Sequence, residues 1–277
     1  MAKIGERVKL PVIREVGAGL ILDGGSLGEV LLPRNERVTN EEEPPEVFLY
    51  HDSEGRPVAT ERTPRVMPGS FGVLKVVASN NTGAFLDWGL AKDLLLPYRE
   101  QRHPPKVGSP VVVYVGVDPK SGRLVASQRI SRHFDPEMPP YRPGDAVSLL
   151  IFGKTEMGYK AVVDGGFEGL LFANQVFEDL YYADQRQGYV TQVRSDRKID
   201  LSLSAPGRAG VENVEERLTR ELESRGGFWA LSDKSSAEEI KNELGISKKA
   251  FKKAIGALYR KRLIAFEADG IRWIGGR

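Results

Sequence analysis

Thr82-Gly83-Ala84-Phe85-Leu86-Asp87-Trp88-Gly89 decides the fold, because the chain contains it three times in related form. Ala18-Gly19-Leu20-Ile21-Leu22-Asp23-Gly24-Gly25 and Tyr159-Lys160-Ala161-Val162-Val163-Asp164-Gly165-Gly166 share the pattern of a β-prone run ending in Asp-x-Gly. A short apolar run follows each copy, at Glu29-Val30-Leu31-Leu32-Pro33, Asp93-Leu94-Leu95-Leu96-Pro97 and Glu168-Gly169-Leu170-Leu171-Phe172. Every copy thus reads strand, turn, strand. The aspartates stand 64 and 77 residues apart, the spacing of small domains in tandem.

Working outward, each copy is preceded by a β-rich run (Val8 to Ile13, Phe71 to Val77, Ala146 to Phe152) and followed by a hairpin. The second arms of the hairpins are Pro57 to Thr60, Leu124 to Ser127 and Ile199 to Leu203. Five short strands per repeat, without a long helical pattern, meet the requirement of a small closed barrel. Pro-rich joints at Arg62 to Gly69 and at Phe134 to Pro140 separate the copies.

Beyond Ser204-Ala205-Pro206-Gly207 the period becomes helical, with Val214, Leu218 and Leu222 on one face. Ser236-Ala237-Glu238-Glu239 reads as a capping box opening a second helix that stops at Gly245. Ser247 caps a third helix carrying Phe251, Ala254, Ile255 and Leu258 on one side, and Leu263 to Phe266 and Ile271 to Ile274 form a hairpin. Three helices and a hairpin is winged-helix order. The expected fold is mainly β and multidomain: three tandem small five-stranded β-barrels over residues 1–64, 65–138 and 139–207, then an α+β winged-helix domain over residues 208–277.

Composition is that of a soluble globular protein, with 277 residues, 40% hydrophobic and 28% charged. No cysteine is present, which excludes disulfides and thiolate metal sites and suits a reducing cytoplasm, and His51, His103 and His133 are scattered. The polar N-terminus lacks a signal core and no apolar run approaches a membrane span, so neither secretion nor membrane insertion is expected.

Apparent catalytic motifs fail on context. Gly24-Gly25-Ser26-Leu27-Gly28 matches a nucleophile elbow, but a strand follows it where a helix is needed. Gly153-Lys154-Thr155 lacks the phosphate-loop glycine five residues earlier, where Ser148 stands. Asp23, Asp87 and Asp164 are expected to serve equivalent turns of separate barrels by local hydrogen bonding and not a shared metal. The chain is read as a non-enzyme without cofactor or metal.

The unit Thr82 to Gly89 resembles the Gly-Ala-Phe-Val-Asp core of S1-type RNA-binding OB domains, and the whole arrangement resembles the bacterial conserved virulence factor B family. Gly188 to Leu203 and Ser247 to Tyr259 carry the most specific part of that resemblance. It implies three S1-like barrels, a winged helix, RNA binding and a regulatory role in the bacterial cytoplasm, through mRNA stability or translation. Departures are present too. Thr82 stands at the first aromatic position of the S1 pattern, Ala18 and Ile21 replace both aromatics in the first repeat, and the third repeat keeps Tyr159.

OB barrels bind single strands by stacking bases on exposed aromatics beside a basic groove. By that rule the second barrel offers Phe85 with Lys75, Lys92, Arg99 and Arg102, and the third offers Tyr159, Phe172, Lys160, Arg194 and Arg197. Strand aromatics alternate between core and surface, which leaves both directions open for Phe85 and Phe172. The first barrel is read as mainly architectural.

Ser247 to Arg262 carries Lys248, Lys249, Lys252, Lys253, Arg260, Lys261 and Arg262 without one acidic residue, and Arg272 lies on the wing. This face suits phosphate contacts. Its leading lysines mainly position a backbone, which argues against sequence-specific operator binding; with the S1-like barrels beside it, single-stranded RNA stands ahead of duplex DNA as the partner. The alternatives are a duplex-DNA transcription regulator and a scaffold on the ribosome or an RNA-degrading assembly.

Overall fold

The computed structural model describes residues 2–38, 44–173, 176, 179–205 and 208–275. Two compact units divide between Asp135 and Pro136, inside the second Pro-rich joint.

In the first unit, repeat one contributes β1 (Arg7–Lys9), β2 (Val12–Val16), β3 (Gly19–Asp23), β4 (Glu29–Pro33), β5 (Glu46–His51) and β6 (Pro57–Thr60), in the order β1-β5-β6-β4-β3-β2. The expected first strand is split at Leu10-Pro11, because Pro11 has no N–H to give a ladder. Its halves pair with β5 and β3, so chain continuity joins the two ends of the sheet. Repeat two contributes β7 (Phe71–Asn80), β8 (Gly83–Asp87), β9 (Leu94–Pro97), β10 (Pro110–Val117) and β11 (Leu124–Ser127), in the order β11-β10-β7-β8-β9.

These two barrel-like sheets, the first of six strands and the second of five, are not independent beads. Phe48, Tyr50 and Val58 of the first share one core with Trp88, Leu86 and Val113 of the second. The rings of Phe48 and Tyr50 meet Trp88 edge-on, at 5.9 and 6.2 Å between centroids.

The second unit opens with β12 (Ala146–Thr155), β13 (Gly158–Val163), β14 (Phe167–Phe172), β15 (Gln185–Val193) and β16 (Ile199–Ser202). These close into a hydrogen-bonded barrel through the parallel pair β14–β16, where Leu171 faces Leu201.

The second strand of every repeat opens on a glycine with the same backbone, φ +152° at Gly19, +152° at Gly83 and +150° at Gly158. A Cβ there would fall 2.0, 2.3 and 2.0 Å from the carbonyl oxygens of Leu32, Leu96 and Leu171 on the facing strand. Only glycine tolerates both the angle and the approach. These glycines set the true alignment, and it corrects the third repeat: Thr82-Gly83-Ala84-Phe85 corresponds to Met157-Gly158-Tyr159-Lys160. Tyr159 therefore holds the place of Ala84, two residues from the position assigned by aligning the aspartates. The aspartates differ accordingly. Asp23 and Asp87 accept from the N–H groups of Gly25 (2.9 Å) and Gly89 (3.0 Å), whereas Asp164 accepts from the N–H and hydroxyl of Ser148 at 2.7 and 2.9 Å. The three turns are not equivalent.

The winged-helix domain comprises α1 (Arg208–Ser224), β17 (Phe228–Trp229), α2 (Ala237–Leu244), α3 (Lys248–Arg260), β18 (Ile264–Glu267) and β19 (Gly270–Trp273). Ser236 accepts from the Glu239 N–H at 3.1 Å while Glu239 accepts from the Ser236 N–H at 2.7 Å, a complete capping box. Gly245 ends α2 in the left-handed region, and Ser247 caps α3 by accepting from the Ala250 N–H. Phe251, Ala254, Ile255 and Leu258 are buried. The short β17, not expected from the sequence, pairs with β19 and completes a three-stranded sheet.

Candidate nucleic-acid interface

Counting from the anchoring glycine, the next side chain of the second strand points into the barrel and the one after it points out. Leu20 and Ala84 are buried accordingly, and Tyr159 packs against the core of its barrel. This corrects the expectation of an exposed Tyr159 stacking platform; the Lys154 ammonium lies 5.1 Å from its ring centroid. Outward on the same strand are Ile21, Phe85 and Lys160, facing Leu31, Leu95 and Leu170 across the ladder. Phe85 is half-buried and outside the core, which resolves the open direction in favour of the surface.

Cavities lie over this face in barrels two and three, flanked in each by the turn joining the first two strands and the turn joining the last two. In barrel three about 490 Å³ is lined by Met157, Lys160, Leu170, Arg194 and Lys198, all from that barrel. In barrel two about 510 Å³ is lined by Thr82, Phe85, Leu95, Lys92, Arg99 and Arg123, joined by Tyr50, His51 and Ser53 of the first barrel. Phe85, Lys92 and Arg99 are thus brought together as expected. His51 and Tyr50 were missed because only the packing of two barrels puts them there, and Arg123, in the turn between β10 and β11, was missed as well.

Several expected cations are engaged. Lys92 donates to the carbonyls of His51 (3.1 Å) and Asp52 (2.5 Å), and burial together with the Arg123 charge lowers its pKa. Burial, reinforced by Arg123 and Lys92, likewise lowers that of His51, while burial raises the Asp93 carboxyl. Arg99 pairs with Asp118 at 2.7 Å, Lys160 with Glu168 at 2.8 Å, and Arg194 with Asp196 at 3.2 Å. Arg197 donates to the Pro136 carbonyl at 2.6 Å and does not line the cavity. Lys75 is exposed on β7 opposite Asp87, whose carboxyl is held low by Arg65 first and the Gly89 N–H next. Arg102 is exposed and lines neither cavity, and Phe172 is half-buried opposite Gly158.

On α3 and the turn after it, Lys249, Lys252, Lys253, Arg260 and Arg262 are exposed, and among the described residues none has a carboxylate within the 4 Å of an ion pair. Lys248 is half-buried. Two further members are corrected from free cations to paired ones. Lys261 is bound to the buried Glu215 of α1 at 2.6 Å, and Arg272 binds Glu267 through two donors and lies over the Phe228 ring. Beside them the exposed rings of Tyr259 and Phe266 sit 5.1 Å apart, another feature the sequence did not announce.

No helix among the described residues is long and apolar enough to cross a membrane. Residues 216–272 match the family described as CvfB-like winged helix domain, and residues 4–62 match the S1 domain. YitL of Bacillus subtilis strain 168 is 25% identical, covering 92% of this chain and 89% of that protein. Conserved virulence factor B of Staphylococcus aureus strain N315 is 27% identical, covering 97% of this chain and 93% of the relative. A crystal structure of a multidomain protein with nucleic acid binding domains from Streptococcus pneumoniae TIGR4 aligns over 98% of both chains at 22% identity, with a TM-score of 0.44. The chain is therefore a mainly β protein that carries an S1 domain and a CvfB-like winged-helix domain and is similar over nearly its whole length to conserved virulence factor B.

Proposed function

We propose that the protein is a non-catalytic regulator that binds single-stranded RNA in the bacterial cytoplasm, holding phosphates with α3 and strand segments with the outer faces of barrels two and three. The observation that carries this reading is the set of unpaired cations on α3. Lys249, Lys252 and Lys253 are neighbours at three- and four-residue spacing and repel one another, and lysines in the first turn oppose the helix dipole. A face that works against its own helix makes sense if a polyanion completes it. The leading lysines favour backbone contacts over base readout, which argues against a sequence-specific duplex operator, and the Phe85 face of the second barrel supports single strands as the partner.

The relative's name, conserved virulence factor B, supports a regulatory outcome linked to virulence, reached by altering mRNA stability or translation. Fluorescence anisotropy with equal-length single-stranded RNA, single-stranded DNA and duplex DNA at two salt concentrations tests the reading. RNA binding that weakens steeply with salt is expected. A preference for duplex DNA overturns it in favour of a transcription regulator, and no binding to any probe overturns it in favour of a protein scaffold.

A further inference from the structure

We propose that the cavity where barrel one meets barrel two is a pocket for a single nucleotide, base and phosphate together; the inference rests on the nucleic-acid reading of the Phe85 face. The equivalent faces of barrels two and three differ in their surroundings. Among the described residues the barrel-three cavity is lined by that barrel alone, whereas Tyr50, His51 and Ser53 wall one side of the barrel-two cavity. A strand that could run on across the former meets the β5–β6 turn in the latter. The remaining volume, about 510 Å³, is in the range of small-ligand sites.

The chemistry divides between a base end and a phosphate end. Phe85 and Leu95, facing each other across β8 and β9, form an apolar floor on which any base can stack. His51 lines the cavity, and its buried Nδ1 has no hydrogen-bond partner in the protein. An unsatisfied buried nitrogen beside a stacking floor is suited to the polar edge of a base.

At the other end, Arg123 has no ion-pair partner among the described residues, although it lies between two barrels rich in carboxylates. Its guanidinium rests against Gly55 of the first barrel, where a Cβ would stand 2.5 Å from Nη2 and where φ is +86°. Arg99 is consumed by Asp118, and Lys92 spends two donors on carbonyls, which leaves Arg123 as the free fork for a phosphate.

Calorimetric titration of the full-length chain with AMP, UMP, the corresponding nucleosides and inorganic phosphate tests the assignment. One site per chain is expected for a nucleoside monophosphate, with at least tenfold weaker binding of nucleoside or phosphate alone, and Phe85→Leu and Arg123→Gln should each weaken it at least tenfold. Trp88 lines the cavity, so its indole N–H resonance reports occupancy, and unchanged circular dichroism certifies the variants. Absence of nucleotide binding, or binding unaltered in both variants, overturns the pocket. Displacement of the mononucleotide by a 5′-phosphorylated oligonucleotide assigns the source to a strand end, and its persistence assigns a free nucleotide. RNA affinity measured in parallel separates the two proposals, since loss of the pocket alone leaves binding through α3 in place.

Discussion

The Nζ of Lys92 stands 2.5 Å from the carbonyl oxygen of Asp52, so a cation of the second barrel closes a turn of the first. This bond lies at the edge of the shared Phe48–Tyr50–Trp88 core and explains why Lys92 is a brace before it is a ligand contact. Lys92→Met keeps the apolar stem and strands two carbonyls. A loss of about 1–3 kcal/mol is expected, the range for hydrogen bonds to charged groups. Urea unfolding followed through the Trp88 indole N–H resonance measures it, and an unshifted midpoint would show that water replaces the ammonium at no cost.

Gly83→Ala should be among the most damaging single-methyl additions in the chain. The new Cβ would stand 2.3 Å from the Leu96 carbonyl oxygen at φ +152°, so both contact and conformation are wrong. Gly25→Ala, at φ +57° with open space around the Cβ, suffers only the conformational part. The first is expected to abolish the cooperative transition of the first unit, while the second costs about 1–2 kcal/mol. Thermal unfolding of the two variants side by side reads the difference, and equal shifts would refute the steric argument.

The repeats were legible because Asp-x-Gly turns and alternating apolar runs are local signals, and the winged helix because Ser236, Glu239, Gly245 and Ser247 are caps in unbroken register. What failed was anchoring. Asp164 is six residues from Gly158, whereas Asp87 is four from Gly83, so aligning aspartates misplaced Tyr159. The even offset preserved the strand's alternation but exchanged a loop-end position for an inward one. Partners distant in sequence were equally out of reach: Glu215 for Lys261 across 46 residues, and the β5–β6 turn for Lys92 across 40. A charge run announces itself in sequence, but the carboxylate that quenches one of its members does not.

Acidification should weaken the first unit through His133. Its ring stacks on Tyr114 at 4.0 Å between centroids, its Nε2 is buried without a partner, and burial lowers its pKa. Both folded and unfolded chains hold it neutral above the ordinary histidine value of about 6.5, so it contributes no pH dependence there. Below that value the unfolded chain takes up a proton that the folded one resists, and stability falls until the lowered folded pKa is passed. Comparing urea midpoints of wild type and His133→Phe between about pH 7.5 and 5.5 isolates this group, because the carboxylates are common to both. A steeper acid loss in wild type is expected, and parallel curves would exclude His133.

Lys253 and Lys261 lie eight residues apart, yet their removal should have opposite consequences. Lys261→Ala leaves the Glu215 carboxylate buried at the α1–α3 contact without its 2.6 Å partner. The winged-helix domain should lose about 1–3 kcal/mol, the penalty for a buried polar group left unmade, with little direct effect on phosphate contacts. Lys249→Ala, Lys252→Ala and Lys253→Ala combined remove exposed, mutually repelling charges from the start of α3, so stability should hold or rise slightly. RNA affinity should fall, and the slope of log affinity against log salt should become shallower by about 0.7 for each phosphate no longer neutralised, roughly 2 for the triple variant. Anisotropy titrations across a salt series measure the slope, and helical circular dichroism during urea unfolding measures the stability. An unchanged slope in the triple variant would place the phosphates elsewhere, on the cavity cations of the barrels, whatever happened to the affinity.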